Sequence, residues 1–193
     1  MKVKICGLTR PQDILAVNEA RPDYIGFVFA KSRRQITPSA AAALRKDLNP
    51  AVKAVGVFVD EVIQNIIDVG DTIDIIQLHG TETDDYINRL KALTSKPIIK
   101  AVTCSNNERF SKCYSSTADY ILLDSPGGGT GKRFNWQSIG ELNRPFFLAG
   151  GLTPENAAEA AKIMPFALDV SSGVETNGFK DFEKIKKFME MIK

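Results

Sequence analysis

FFLAGGLTPEN (146–156) runs an apolar segment into paired glycines and then into Thr153-Pro154-Glu155. The apolar, aromatic start reads as a buried strand. A hydroxyl just ahead of a proline is helix-start chemistry. This stretch is therefore half of a βα unit, and the fold depends on how often that unit repeats. Seven more strand candidates occur: VKIC (3–6), DYIGFVF (23–29), KAVGVFV (53–59), DIIQLH (74–79), PIIKAV (97–102), DYILLD (119–124) and FALDV (166–170). Between them, Thr9-Arg10-Pro11 and Thr37-Pro38-Ser39 repeat the hydroxyl-proline start, and Thr81-Glu82-Thr83-Asp84 opens an acidic first turn. The helical pattern is weak from Asn107 to Tyr114, and DFEKIKKFMEMIK closes the chain as a helix.

Eight strands alternating with helices imply a parallel sheet. An open doubly wound sheet competes with a closed (β/α)8 barrel. Roughly even spacing favours the barrel, and no GxGxxG follows the first strand as a dinucleotide-binding sheet would require. The expectation is an α/β chain folded as one (β/α)8 TIM barrel domain over 1–193.

Composition narrows the function. The chain has 193 residues, 44% hydrophobic and 25% charged, with a net charge of +2. That is the usual mix for a globular protein, and too little positive charge to expect a nucleic-acid partner. No apolar run approaches the ~18 residues that span a bilayer, so no membrane partner is expected. MKVKIC has no apolar signal-peptide core. The three cysteines, Cys6, Cys104 and Cys113, form no CxxC pair and there is one histidine, which disfavours a zinc site. An odd thiol count fits a reducing compartment, and a cytoplasmic location is expected.

A barrel of this kind carries its chemistry at the carboxyl ends of the strands. Those ends read Cys6, Phe29, Val59 and Asp60, Gln77 and His79, Val102, Asp124, Gly150 and Gly151, then Asp169 and Ser171. Alternation places Gln77 with His79 on one face, and Lys4 with Cys6 on another. It also puts Lys4 and Lys100 inside the barrel, where an ion-paired layer is the ordinary reading and a Schiff-base lysine the sharper one. The small-residue turns LAGGL and DVSSG follow the seventh and eighth strands, the usual place of a phosphate site in this fold. DSPGGGTGKRFNW (124–136) is no P-loop, because Arg133 stands where Ser or Thr is required. Its glycines fit a lid. KSRRQITP brings Lys31, Arg33 and Arg34 near the mouth, either as a solvated loop or as a clamp for a second anion. Cys6, ending the first strand, reads as a packed core thiol, a metal ligand, a nucleophile or something else, and the lack of metal partners weighs against the second. His79 reads as a neutral hydrogen-bonding pocket residue.

Taken together, KICGLTRPQD, GFVF with KSRRQITP, VGVFV, IIQLHG, LLDS with GGTGKRFNW, LAGGLTPEN and DVSSGVE appear in order and resemble the phosphoribosylanthranilate isomerase family over nearly the whole chain. The resemblance implies a (β/α)8 enzyme of tryptophan biosynthesis that performs an Amadori rearrangement of a sugar phosphate without metal or cofactor. It implies Cys6 as general base, Asp124 as general acid, and Arg34 on the anthranilate carboxylate. Gly150, Gly151, Ser171 and Ser172 match the phosphate turns, and Gln77, His79 and Asp169 match pocket positions. One departure is Asn135, where FDW is common and FNW stands. A monomer or a homodimer is compatible with the pattern. Indole-glycerol-phosphate synthase would need a lysine–glutamate set at the strand ends, where no glutamate stands. A histidine-pathway isomerase would need an aspartate where Cys6 stands, and a silent phosphate-binding barrel would need neither Cys6 nor Asp124.

Overall fold

A computed structural model describes residues 1–103, 115–125, 136, 139 and 142–192. The weak helical pattern at 107–114, the other two cysteines, and lid residues 126–135 with Asn135 lie outside the described residues. Eight parallel strands close into a barrel in sequence order: β1 Lys2–Cys6, β2 Tyr24–Val28, β3 Lys53–Phe58, β4 Ile75–Leu78, β5 Ile98–Thr103, β6 Tyr120–Asp124, β7 Phe146–Leu148 and β8 Ala167–Val170. Closure is made by β8 lying against β1, with Lys4 opposite Asp169 and Ile5 opposite Val170. All eight expected strands are present, each within a residue or two of its expected bounds. Helices α1 Pro11–Ala20, α2 Pro38–Lys46, α3 Ile63–Asp68, α4 Asp84–Lys91, α5 Ala157–Ala161 and α6 Phe182–Glu190 follow their strands. A short antiparallel pair, β9 Glu175–Thr176 and β10 Phe179–Lys180, lies between β8 and α6.

Each strand is buried on both faces, so its pattern is nearly all apolar. Val3, Ile5, Ile25, Phe27, Ile121 and Leu123 face outward into the layer under the helices. Tyr24, Val55, Ile75, Ile99, Leu122 and Phe147 face inward. Phe147 is fully buried, with Tyr24, Tyr120 and Phe166 around it at ring separations of 5.6, 5.7 and 5.6 Å. Burying one such ring contributes about 1.5–3 kcal/mol. This aromatic plug fills the interior at the amino ends of the strands. The polar inner-face groups that line the cavity lie beyond it, toward the carboxyl ends.

Three local expectations need correction. Lys100 does not enter the barrel. Ile99 and Ala101 take the inner face of β5, and Lys100 points outward to Glu82 (2.7 Å) and the Gly80 carbonyl (2.6 Å). Thr9 does not cap α1: Asp13 Oδ2 accepts from the amides of Thr9 (2.9 Å) and Arg10 (3.0 Å), and a charged acceptor outcompetes a hydroxyl there. Thr153 does not cap α5 either. Its amide donates to Asn156 Oδ1 (2.9 Å), and Asn156 is the cap position. Thr37 and Thr83 do cap α2 and α4, accepting from Ala40 and Tyr86.

Candidate active site

A cavity of about 240 Å³ opens at the carboxyl ends of the strands. Cys6, Arg34, Gln77, His79, Asp124 and Asp169 all line it, as do the turns containing Gly150, Gly151, Ser171 and Ser172. Every site residue named from the sequence therefore meets in one place. Among the other strand-end residues, Val59 lines the cavity too, while Phe29, Asp60 and Val102 do not. Phe29 stacks on Phe58, Asp60 accepts from Thr81, and Val102 packs against the outer layer. Lys31 lines the cavity; Arg33, more than half exposed, turns to Glu175 instead.

β1 brings Lys4 and Cys6 inward two residues apart. Opposite Cys6 in β2 stands Gly26, where a Cβ would come within 2.6 Å of Cys6 Sγ. The thiol occupies the space that glycine leaves. Lys4 is wholly buried and reaches Asp169 Oδ2 at 2.9 Å. Burial works against its ammonium, but Asp169 and the Cys6 thiol outweigh that, so its pKa is raised. Lys4 is thus an ion-paired layer residue, not a free amine. Burial pushes the Cys6 thiol above its ordinary value, and the Lys4 ammonium pulls the other way.

Asp124 ends β6 with both oxygens engaged. Its Oδ1 accepts from the Ser125 amide (2.7 Å), and its Oδ2 lies 3.2 Å from His79 Nε2. Gln77 Nε2 lies 2.9 Å from His79 Nδ1, so in this arrangement Nδ1 accepts and the ring proton sits on Nε2, toward Asp124. Gln77 Oε1 and Asp169 Oδ1 are buried acceptors with no partner among the described residues. Both belong to cavity residues, and buried acceptors without donors are costly. Acceptors so placed can take hydrogen bonds from a hydroxylated ligand.

The two small-residue turns are stitched together. Gly150 and Gly151 have φ of 85° and 67°, backbone that favours glycine. A Cβ on Gly173 would lie 1.8 Å from the Leu152 carbonyl oxygen, so the loops after β7 and β8 touch. No acceptor among the described residues takes the amides of Gly150, Gly151 or Ser172. Clustered free amides on a cavity wall fit an oxyanion such as phosphate. Among the described residues no group of three or more His, Cys, Asp or Glu is placed to hold a metal ion.

The sequence reading missed Glu175. It is buried, and its carboxylate takes Arg34 Nε (2.7 Å) and Nη2 (3.0 Å), Arg33 Nη2 (2.9 Å) and Lys180 Nζ (2.6 Å). Burial alone raises a carboxyl pKa, but Arg34 and Lys180 outweigh it and hold Glu175 below its ordinary value. The signal was present as the last residue of DVSSGVE, but nothing local pairs it with Arg34, 141 residues away.

A closed eight-stranded barrel with a thiol, a carboxyl and an amide-lined anion cradle in one mouth defines a class: sugar-phosphate enzymes of the (β/α)8 fold. Comparison with known proteins narrows this. The family model for N-(5′-phosphoribosyl)anthranilate (PRA) isomerase matches residues 3–191. The N-(5′-phosphoribosyl)anthranilate isomerase of Thermoanaerobacter pseudethanolicus is 46% identical over 100% of this chain and 98% of its own. The crystal structure of phosphoribosyl anthranilate isomerase from Thermus thermophilus superposes with a TM-score of 0.91 at 33% identity, covering 100% and 98% of the two chains. A second phosphoribosyl anthranilate isomerase, solved in complex with reduced 1-(o-carboxyphenylamino)-1-deoxyribulose 5-phosphate, gives 0.84 at 36% identity over the same shares. The chain belongs to the N-(5′-phosphoribosyl)anthranilate isomerase family, the isomerases of tryptophan biosynthesis.

Proposed function

We propose that this chain converts N-(5′-phosphoribosyl)anthranilate to 1-(2-carboxyphenylamino)-1-deoxyribulose 5-phosphate, with Asp124 as general acid and Cys6 as general base. The observation that carries this is the meeting of Cys6 and Asp124 in one cavity beside the two amide-lined turns. Gly150, Gly151, Ser171 and Ser172 hold the phosphate. Arg34 holds the anthranilate carboxylate, because Glu175 occupies the Nε side of the guanidinium and leaves its end-on edge. Asp169 Oδ1 accepts from a ribose hydroxyl.

Protonated Asp124 delivers its proton to the furanose oxygen. The C1′–O bond breaks toward that oxygen, and the anilino nitrogen lone pair forms the iminium. The Cys6 thiolate then takes the C2′ proton. The C–H electron pair becomes the C1′=C2′ bond and neutralises the nitrogen. Loss of the O2′ proton and protonation at C1′ give the ketone, so atoms and charge balance. The iminium supplies the cation that a thiol raised by burial needs before it ionises. Gln77 serves the acid indirectly. Rotating its amide turns Oε1 to His79 Nδ1, moves the ring proton there, and leaves Nε2 to accept from a protonated Asp124.

The isomerase works in the cytoplasm, where its buried thiol stays reduced. Eighteen described residues of this chain line the cavity, and a monomer or a homodimer is compatible with that. Among the described residues no helix is long and apolar enough to cross a membrane. The test is turnover, followed as loss of phosphoribosylanthranilate fluorescence, in Cys6→Ser and Asp124→Asn. Each loses about 10²–10⁴-fold in kcat, the usual value of a positioned acid or base, and still binds the product. Near-normal turnover in either removes that residue's role.

A further inference from the structure

We propose that Glu175 is a positioning residue for the substrate's aromatic carboxylate, acting through Arg34 and keeping that guanidinium away from the phosphate cradle. The inference rests on Arg34 being the carboxylate clamp. Arg34 lies in the loop after β2, lines the same cavity as the phosphate turns, and carries a long flexible side chain. A free guanidinium in that position would be drawn to a phosphate dianion as readily as to a carboxylate. Two features prevent this. The stem of Arg34 lies across Gly7, where a Cβ would meet Arg34 Cδ at 2.4 Å. The head is fixed by Glu175, which takes Nε at 2.7 Å and Nη2 at 3.0 Å. That side-on pair leaves the edge formed by Nη1 and the second Nη2 hydrogen, and no hydrogen bond to Nη1 occurs among the described residues.

Glu175 is itself pinned. Lys180 Nζ, almost fully buried, holds its carboxylate at 2.6 Å, and Lys184 Nζ holds its carbonyl at 2.7 Å. Lys180 also reaches the Ser171 carbonyl at 3.1 Å, and Ser171 Oγ donates to the Cys6 carbonyl at 2.9 Å. One anion thus ties the Arg34 loop to the chain leaving the phosphate turn and to the end of β1. Three cations surround this single carboxylate, so the cluster keeps a positive excess for the ligand's own anion.

The test compares two ligands by calorimetry: reduced 1-(o-carboxyphenylamino)-1-deoxyribulose 5-phosphate and the same compound with an unsubstituted phenyl ring. In Glu175→Gln the carboxylate ligand weakens on the order of tenfold or more, as loss of a charge-fixed contact predicts. The unsubstituted ligand, which keeps its phosphate, binds as tightly as it does to the wild type or more tightly, and KM rises more than kcat falls. Equal weakening of both ligands, or of neither, overturns the proposal. Arg34→Met separates it from the reading beneath it. If Arg34→Met does not discriminate between the ligands, the clamp assignment fails. If Arg34→Met discriminates and Glu175→Gln does not, only the role of Glu175 fails. Should Glu175→Gln not fold, Glu175→Asp keeps the charge beside Lys180, withdraws it from Arg34, and must show the same selective loss.

Discussion

Gly26→Ala places a methyl group against the proposed base, whose atoms are the three nearest to it. The new Cβ would sit 2.6 Å from Cys6 Sγ, 3.1 Å from Cys6 Cα and 3.3 Å from Cys6 Cβ. Ordinary contact begins near 3.4 Å, so the sulfur must retreat by about 0.8 Å. Side-chain rotation alone does not relieve the clash with the Cys6 backbone, so β1 or β2 must also give. Overpacking of this kind costs about 1–3 kcal/mol of stability. The kinetic effect should be larger than that implies, because a displacement near 1 Å costs roughly 10²-fold when a proton is to be transferred. The expected result is kcat down about 10–100-fold with KM little changed, read by the fluorescence assay on protein shown folded by its denaturant midpoint. Gly56→Ala is the matched control. Its Cβ would meet Ile73 Cδ1 at 2.7 Å and Phe58 Cε2 at 2.9 Å in the outer layer, far from the thiol. It should lose comparable stability and keep kcat. A folded Gly26→Ala enzyme with normal kcat would refute the reasoning. So would a further loss when Gly26→Ala is added to Cys6→Ser.

Other outcomes follow from the same geometry. Because burial raises the Cys6 thiol in the free enzyme, the ascending limb of kcat/KM against pH should lie above the ordinary thiol range. Activity on that limb grows as pH rises, since the base is the deprotonated form. The limb of kcat should lie at lower pH, because the bound iminium favours the thiolate; coincident limbs would deny the thiol this part. Gly173→Ala puts a Cβ more than 1 Å inside the 3.0 Å floor from a backbone oxygen, Leu152 O, which no rotamer relieves. The loops after β7 and β8 must separate, and inhibition by inorganic phosphate should weaken at least several-fold. Unchanged phosphate inhibition would place the phosphate elsewhere.

Much of the site was legible because strand ends are legible. VKIC, DIIQLH and DYILLD each finish on a residue with chemistry, and a parallel barrel points those ends into one mouth. Where one face of a strand carries a distinctive residue, parity is also readable, as for Lys4 with Cys6 and Gln77 with His79. It was not readable for Lys100. The run PIIKAV is apolar on both sides of the lysine, so the pattern does not say which face is inside. The helix starts failed where another acceptor was available, as with Asp13 in the first turn of α1 and Asn156 before α5.

The sequence by itself determined the eight strands, their alternation with helices, the family, and the identity of the residues at the mouth. These are local matters of pattern, propensity and motif order. Only the tertiary structure decided which charges meet. Lys4 finds Asp169 across the seam where β8 closes on β1, and Arg34 finds Glu175 because the loops after β2 and β8 converge over the same opening. Partners separated by 165 and 141 residues leave no periodic trace in the chain. Their pairing is set by closure of the barrel, and so is the direction in which each charge shifts its neighbour.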